Sequence, residues 1–205
     1  MSNGQQVIKY ILIGSNRVGK SSFLQRFCDN NFNLNYEESK GVDFKSKMYD
    51  DGKYKLCIFD TPGDIKLRFA SYGFYKFAFG FILIFDLTRP QTLKDLRDDF
   101  SQIASQSSQY AQLILVGNKS DSEDINDYRE IQEEAQKMAN ELHITYYEIS
   151  CLTGQNVNLV IEDLTKRVLV QIGNGHLGKR PGDQVQNRHK DENIKHEGGC
   201  CCQIF

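Results

Sequence analysis

The sequence predicts an α/β domain built on a mostly parallel sheet, and three observations carry that reading. Short apolar runs, nearly continuous rather than alternating, are spaced between stretches of helical period. A glycine-bounded phosphate-loop pattern follows the first run and opens a helix. One strand pair is separated by Asp51-Gly52, a hairpin signal that adds a single antiparallel strand at the sheet edge. Together they describe a six-stranded sheet with helices on both faces.

The strand-like runs are Val7 to Ile13, Val42 to Tyr49, Lys55 to Phe59, Phe81 to Phe85, Leu113 to Val116 and Thr145 to Ile149. Between them lie apolar stripes at helical spacing: Leu93, Leu96, Phe100 and Ile103; Ile131, Ala135, Met138 and Leu142; and Val157, Val160, Ile161, Leu164 and Val168. With 205 residues the chain can bury one large core. The division expected is a domain over 1–174 and a flexible tail over 175–205, where glycines, Pro181 and polar residues leave little to bury.

Composition excludes several classes of function. A formal charge of -2, with acidic and basic residues interleaved, gives no basic field to recruit nucleic acid. The start, Met-Ser-Asn-Gly, carries neither an export pattern nor a myristoylation glycine, and no apolar run approaches the roughly 20 residues of a spanning helix. Cys28, Cys57 and Cys151 stand singly, which argues against a disulfide framework or a zinc site and is expected of small core residues in a reducing compartment.

Chemistry is concentrated at two strand ends. After the first strand comes Gly14-Ser15-Asn16-Arg17-Val18-Gly19-Lys20-Ser21-Ser22. Backbone N–H groups of a loop that wraps closely before a helix converge on an anion, and glycines permit the approach. Lys20 is suited to β and γ phosphates, and the Ser21 hydroxyl to Mg²⁺. The candidates here are Gly14, Asn16, Arg17, Val18, Gly19, Lys20, Ser21 and Ser22. About a hundred residues on, Asn118-Lys119-Ser120-Asp121 follows the buried run at Leu113 to Val116. Ligands sit at such carboxyl ends in open α/β sheets. The Asp121 carboxylate can accept the N1–H and exocyclic amine of guanine as a pair, and adenine presents the wrong groups. Ser150-Cys151-Leu152, after the last strand, can add backbone contacts to the base. The lack of an Arg-rich lid argues against a small-molecule kinase.

These residues resemble the Ras superfamily, most closely its Rab branch, over nearly the whole of 5–172. The resemblance rests on the loop at 14–21, Gly41-Val42-Asp43-Phe44, Asp60-Thr61-Pro62-Gly63, Asn118-Lys119-Ser120-Asp121, and the terminal Cys201-Cys202-Gln203-Ile204-Phe205. It implies a GTP/GDP switch with Mg²⁺ held by Ser21, by Ser39 in switch I and through water by Asp60. It further implies that Phe32 packs on guanine and that the Gly63 N–H senses the γ-phosphate. Phe44, Phe59 and Phe74 fall where Rab proteins carry an exposed aromatic triad for effectors; the alternative for these three is plain core.

The departures from the family bear on mechanism. Asp64 replaces the glutamine that orients the attacking water; a carboxylate beside a polyanion is repelled and offers no amide donor. Slow intrinsic hydrolysis is therefore expected, with Asp64, Gly63 and Lys20 as the catalytic candidates. Pro62 stiffens the loop. Asn16 and Arg17 stand where small residues are usual, and Arg17 either faces the phosphates or points to solvent. Lys40 stands for isoleucine, and Leu152 for lysine.

The sequence ends in a CaaX-like box that also matches the doubly prenylated Rab ending, which designates Cys201 and Cys202 for lipidation. The implied partners are an exchange factor, a GTPase-activating protein, effectors and a prenyl-binding chaperone. The place is the cytoplasmic face of an intracellular membrane, with a soluble cytosolic pool. Two functions remain open at this level: a cycling switch in vesicle traffic, or a largely GTP-locked membrane scaffold.

Overall fold

The computed structural model describes residues 6–33, 41–64, 69–123 and 128–178, with the backbone alone for 69–71. Six strands form the sheet: β1 (Gln6–Ile13), β2 (Asp43–Tyr49), β3 (Tyr54–Asp60), β4 (Gly80–Asp86), β5 (Gln112–Asn118) and β6 (Thr145–Ile149). Their order is β2-β3-β1-β4-β5-β6. Only the β2–β3 pair is antiparallel. It is closed by Asp50, Asp51 and Gly52 at positive φ and by the Lys53 N–H donating to the Asp50 carbonyl at 2.9 Å, as the Asp-Gly signal requires.

Both faces of the central strands are covered, which is why their sequences read as unbroken apolar runs. On β1, Ile8, Tyr10 and Leu12 enter one core while Ile11 and Ile13 enter the other. The first core lies under α1 (Lys20–Asp29) and α5 (Val157–Gly173), whose stripe of Val157, Val160, Ile161, Leu164 and Val168 is fully inward. Within it the Tyr10 hydroxyl donates to Thr165 Oγ1 at 2.9 Å, satisfying both buried groups. The second core lies under α2 (Gln91–Lys94), α3 (Leu96–Gln106) and α4 (Tyr128–Glu141). The stripe expected as one helix from Leu93 to Ile103 is thus divided at Asp95, although its residues keep facing inward.

A 3₁₀ segment, Phe69–Phe77, closes the second core with the buried Tyr75 and was not foreseeable from a helical stripe. Two further expectations need correction. Of the single cysteines, only Cys151 is buried, while Cys28 on α1 and Cys57 on β3, opposite Ser46 of the edge strand β2, are half-buried. The packed chain also runs past 175, where the tail was expected to begin. Leu177 joins the first core, and the His176 ring stacks on Tyr110 with centroids 4.1 Å apart.

Strand β2 is the outermost of the described strands and its side chains are mostly exposed. It is tied back to α1 by an ion pair between Lys45 and Asp29 and by Lys47 Nζ donating to the Phe27 carbonyl at 2.7 Å. Truncating the buried Leu164 to alanine opens a cavity under α5 and should lower stability by about 2–5 kcal/mol. The midpoint of urea unfolding, at unchanged slope, measures it.

Candidate functional site

The strand order reverses direction at β1, with β3 on one side and β4 on the other, so the crevice outside the carboxyl ends of these strands is the natural ligand position. A cleft of about 780 Å³ occupies it, and a small extension reaches from it along the loop at 16–22 to Thr61 and Gly63.

The floor is the loop between β1 and α1. Gly14 has φ 151° and Gly19 φ 100°, and a Cβ on either would lie about 2 Å from the Ile84 carbonyl or the Asn118 amide, so the loop closes this tightly only with glycine there. Arg17 also adopts positive φ, at 64°. Helix α1 starts with no side-chain cap and no acidic residue in its first turn, which leaves its N-terminal N–H groups and positive dipole end directed at the cleft. Lys20 is buried and donates to the carbonyls of Gly14 at 2.9 Å and Ser15 at 3.0 Å. Beside it the Ser21 hydroxyl donates to the buried Asp60 carboxylate at 2.5 Å. A hydroxyl and a carboxylate brought together at a cleft wall are the hard oxygen donors a magnesium ion takes, alongside water and phosphate. Thr61 Oγ1 fixes the end of β3 by donating to the Leu12 carbonyl at 2.7 Å.

The opposite wall is the end of β5. Asn118 is buried, with Nδ2 donating to the Val18 carbonyl at 2.8 Å and Oδ1 accepting from the Cys151 N–H at 3.1 Å. Lys119, at φ 70°, pairs with Asp86 at 2.7 Å, and the exposed Asp121 lines the cleft. Leu152 and the half-buried Phe32 close its mouth. Arg26, from α1, donates to the carbonyls of Cys151 at 2.8 Å and Leu152 at 2.6 Å, so the helix that begins at the phosphate loop also holds the loop after β6. Ser150 and Cys151 are buried beneath that loop, and burial pushes the Cys151 thiol up to about 12, which leaves it neutral and structural.

Most sequence-derived candidates therefore meet in one place. Gly14 and Val18 support the loop from below, Asn16, Lys20 and Gly63 line its narrow extension, and Arg17, Gly19, Ser21 and Ser22 line both spaces. Arg17 is exposed at the rim. Asp64 is exposed as well, outside the lining formed by Thr61 and Gly63. Ser39, Lys40, Cys201 and Cys202 lie outside the described residues. The aromatic residues Phe44, Phe59 and Phe74 form a separate row at the sheet edge, with centroid separations of 5.4 Å and 5.8 Å. Phe44 is 57% exposed and Phe59 half-buried, so the row is surface rather than core. Lys9 Nζ sits 4.6 Å from the Phe59 ring and 4.8 Å from that of Phe74, and donates to the Phe74 carbonyl at 2.9 Å. Gly41 and Val42 lead into this row, and Asp43 reaches the cleft.

A strand, a glycine-bounded loop and a helix at the centre of such a sheet, facing an Asn-Lys-x-Asp strand end, define the class of P-loop GTPase folds. Comparison with known proteins agrees. A sequence model of the Ras family matches residues 9–170. The chain is 32% identical over 193 residues to Ras-related protein Rab-3 of Caenorhabditis elegans, covering 93% of this chain and 87% of that one. It is 36% identical over 179 residues to Ras-related protein Rab-27B of Rattus norvegicus, covering 80% of each. With Ras-related protein SEC4 of Saccharomyces cerevisiae the identity is 35% over 183 residues, covering 84% of this chain and 83% of the other. The chain belongs to the Ras family, as a Rab-like small GTPase.

Sequence reasoning overlooked Asp86, the last residue of β4. Its side chain is fully buried and accepts from Lys119, from Arg89 at 2.9 Å and from the Thr88 hydroxyl and N–H. Burial alone would raise its pKa, but these donors together outweigh it and hold the carboxyl below the usual carboxylate range. A depressed folded-state pKa gives stability that is present above the unfolded value of about 3.9 and lost as pH falls through the folded one. Asp86→Asn should therefore cost about 1–3 kcal/mol at pH 7. In urea titrations across pH, its deficit against the parent should stay constant above about pH 5 and shrink below about pH 4.

Proposed function

We propose that this chain is a GTP/GDP switch on the cytoplasmic face of an intracellular membrane, where it regulates vesicle traffic. The observation that carries the reading is the single cleft into which the phosphate loop and Asp121 both open. Gly14 to Ser22 enclose the phosphates through backbone N–H groups, Lys20 turns from the loop carbonyls to the β and γ phosphates, and Asp121 selects guanine by its paired acceptors. Phe32, Leu152 and the backbone at Ser150 and Cys151 shape the base site. Ser21 and Ser39 would hold Mg²⁺, with Asp60 acting through its bound water, and the ion would supply positive charge against that developing on the phosphate oxygens. Gly63 reads the γ-phosphate, and effectors read Gly41, Val42 and Asp43 together with the row Phe44, Phe59 and Phe74 once the switches are ordered.

Hydrolysis is slow without help, because Asp64 supplies a negative charge where the family supplies an amide. A GTPase-activating protein provides the missing groups in trans and an exchange factor reloads the site. Cys201 and Cys202 are prenylated, since one lipid chain gives only marginal membrane residence, and a prenyl-binding chaperone maintains the soluble pool. The identity of Asp64 also supports a second reading, a largely GTP-locked scaffold that binds effectors without appreciable turnover. The nucleotide released from freshly purified protein separates the two, mostly GDP for the cycling switch and mostly GTP for the scaffold.

Asp121→Asn should weaken GTP relative to xanthosine triphosphate by about 100-fold, on the scale of about 1.4 kcal/mol per decade and a lost charge-assisted pair. Competition binding measures the ratio, and an unchanged preference overturns the guanine assignment. Asp64→Gln should raise single-turnover phosphate release by at least about tenfold, or about 1.4 kcal/mol of barrier. Equal rates would refute the charge argument.

A further inference from the structure

The stretch just after β4 makes two contacts with the phosphate loop that the nucleotide-binding reading does not use. Arg89 directs Nε to Asp86 Oδ2 at 2.9 Å and Nη2 to the carbonyl of Asn16 at 2.9 Å. Asp95, at the junction of α2 and α3, accepts from Ser15 Oγ at 2.8 Å and from Gln91 Nε2 at 3.0 Å. Because Asp86 also holds Lys119 at 2.7 Å, a continuous path of charged contacts runs from the guanine-selecting strand end to the loop: Lys119, Asp86, Arg89, Asn16.

The contact to Asn16 has a directional consequence. In a trans peptide the carbonyl oxygen of one residue and the N–H of the next point in opposite senses across a rigid plane, and no cis bond occurs among the described residues. An Asn16 oxygen held toward Arg89 therefore turns the Arg17 N–H the other way. Arg17 sits at φ 64°, a conformation that costs a non-glycine residue energy and persists only where the surroundings enforce it. Arg89 suits this task because its guanidinium presents several donors in a fixed fork, so one side chain can grip a buried carboxylate and a loop carbonyl together.

We propose that Arg89 is a positioning residue that fixes the Asn16–Arg17 peptide of the phosphate loop, and through it sets how long a guanine nucleotide stays bound. Arg89 acts on the phosphate half of the site, by orienting a donor, and leaves the selection of the base to Asp121. The inference rests on the nucleotide-binding reading above.

The test uses the full chain loaded with GDP and Mg²⁺. Arg89→Ala should speed GDP release about tenfold, the size of one charge-assisted hydrogen bond. It should also lower the ratio of GDP to GMP affinity by a similar factor, since GMP has no β-phosphate to lose, while the preference for GDP over xanthosine diphosphate is unchanged. Arg89→Met, nearly as long but without donors, should behave as Arg89→Ala does and keeps the test open if the smaller side chain impairs folding. Release within twofold of the parent in both variants would overturn the proposal. So would equal losses for GDP and GMP, which are what general loosening of the domain produces. A parent chain with no affinity for GDP would instead sink the underlying nucleotide-binding reading along with it.

Discussion

The site depends on one buried amide. Asn118 stands at the end of β5 and spans two loops, donating to the phosphate loop at Val18 and accepting from the loop after β6 at Cys151. Both partners are main-chain groups, which need a hydrogen-bond partner when buried, so the amide joins the three segments at one point. Only a carboxamide offers a donor and an acceptor so close on one neutral planar group, and asparagine holds it one methylene nearer the backbone than glutamine does. Gly19, where a Cβ would meet this amide at 2.2 Å, leaves room for it, and the two positions form one piece of geometry.

Around that amide the sheet acts as a register device. Parallel pairing sets Asp60 beside Leu12, and Asp86 beside Asn118. The chemistry-bearing residues occupy consecutive strand ends because each strand stops at the same edge. Side chains from the flanking segments then stitch that edge: Arg26 from α1, Arg89 and Asp95 from the region after β4, and Thr61 from the end of β3. The result is a polar rim whose members are mostly committed to one another, on top of two apolar cores.

How much of this could be read from sequence followed from the range of the interaction responsible. The phosphate loop and the Asp51-Gly52 turn are local, since their conformations follow from glycine placement within a few residues. Unbroken apolar runs disclosed a sheet covered on both sides. Arg89 and Arg26 gave no comparable signal: their partners lie 73 and 125 residues away, and an arginine in a polar stretch reads as a solvated charge. Cys28 and Cys57 are less buried than general tendencies suggest because they lie near the sheet's β2 edge, a placement set by strand order, and the packed chain passes 175 because Leu177 and His176 find their partners only in tertiary structure. The aromatic row could be located by resemblance, but its exposure needed the fold.

The tie between β2 and α1 turns two neighbouring elements into a lever. Lys45 and Lys47 bind the outermost strand to the far end of the helix whose first turn is the phosphate loop. A shift of the outermost strand would therefore pull directly on the last turn of that helix, at Phe27 and Asp29, rather than reaching it only across β3 and β1.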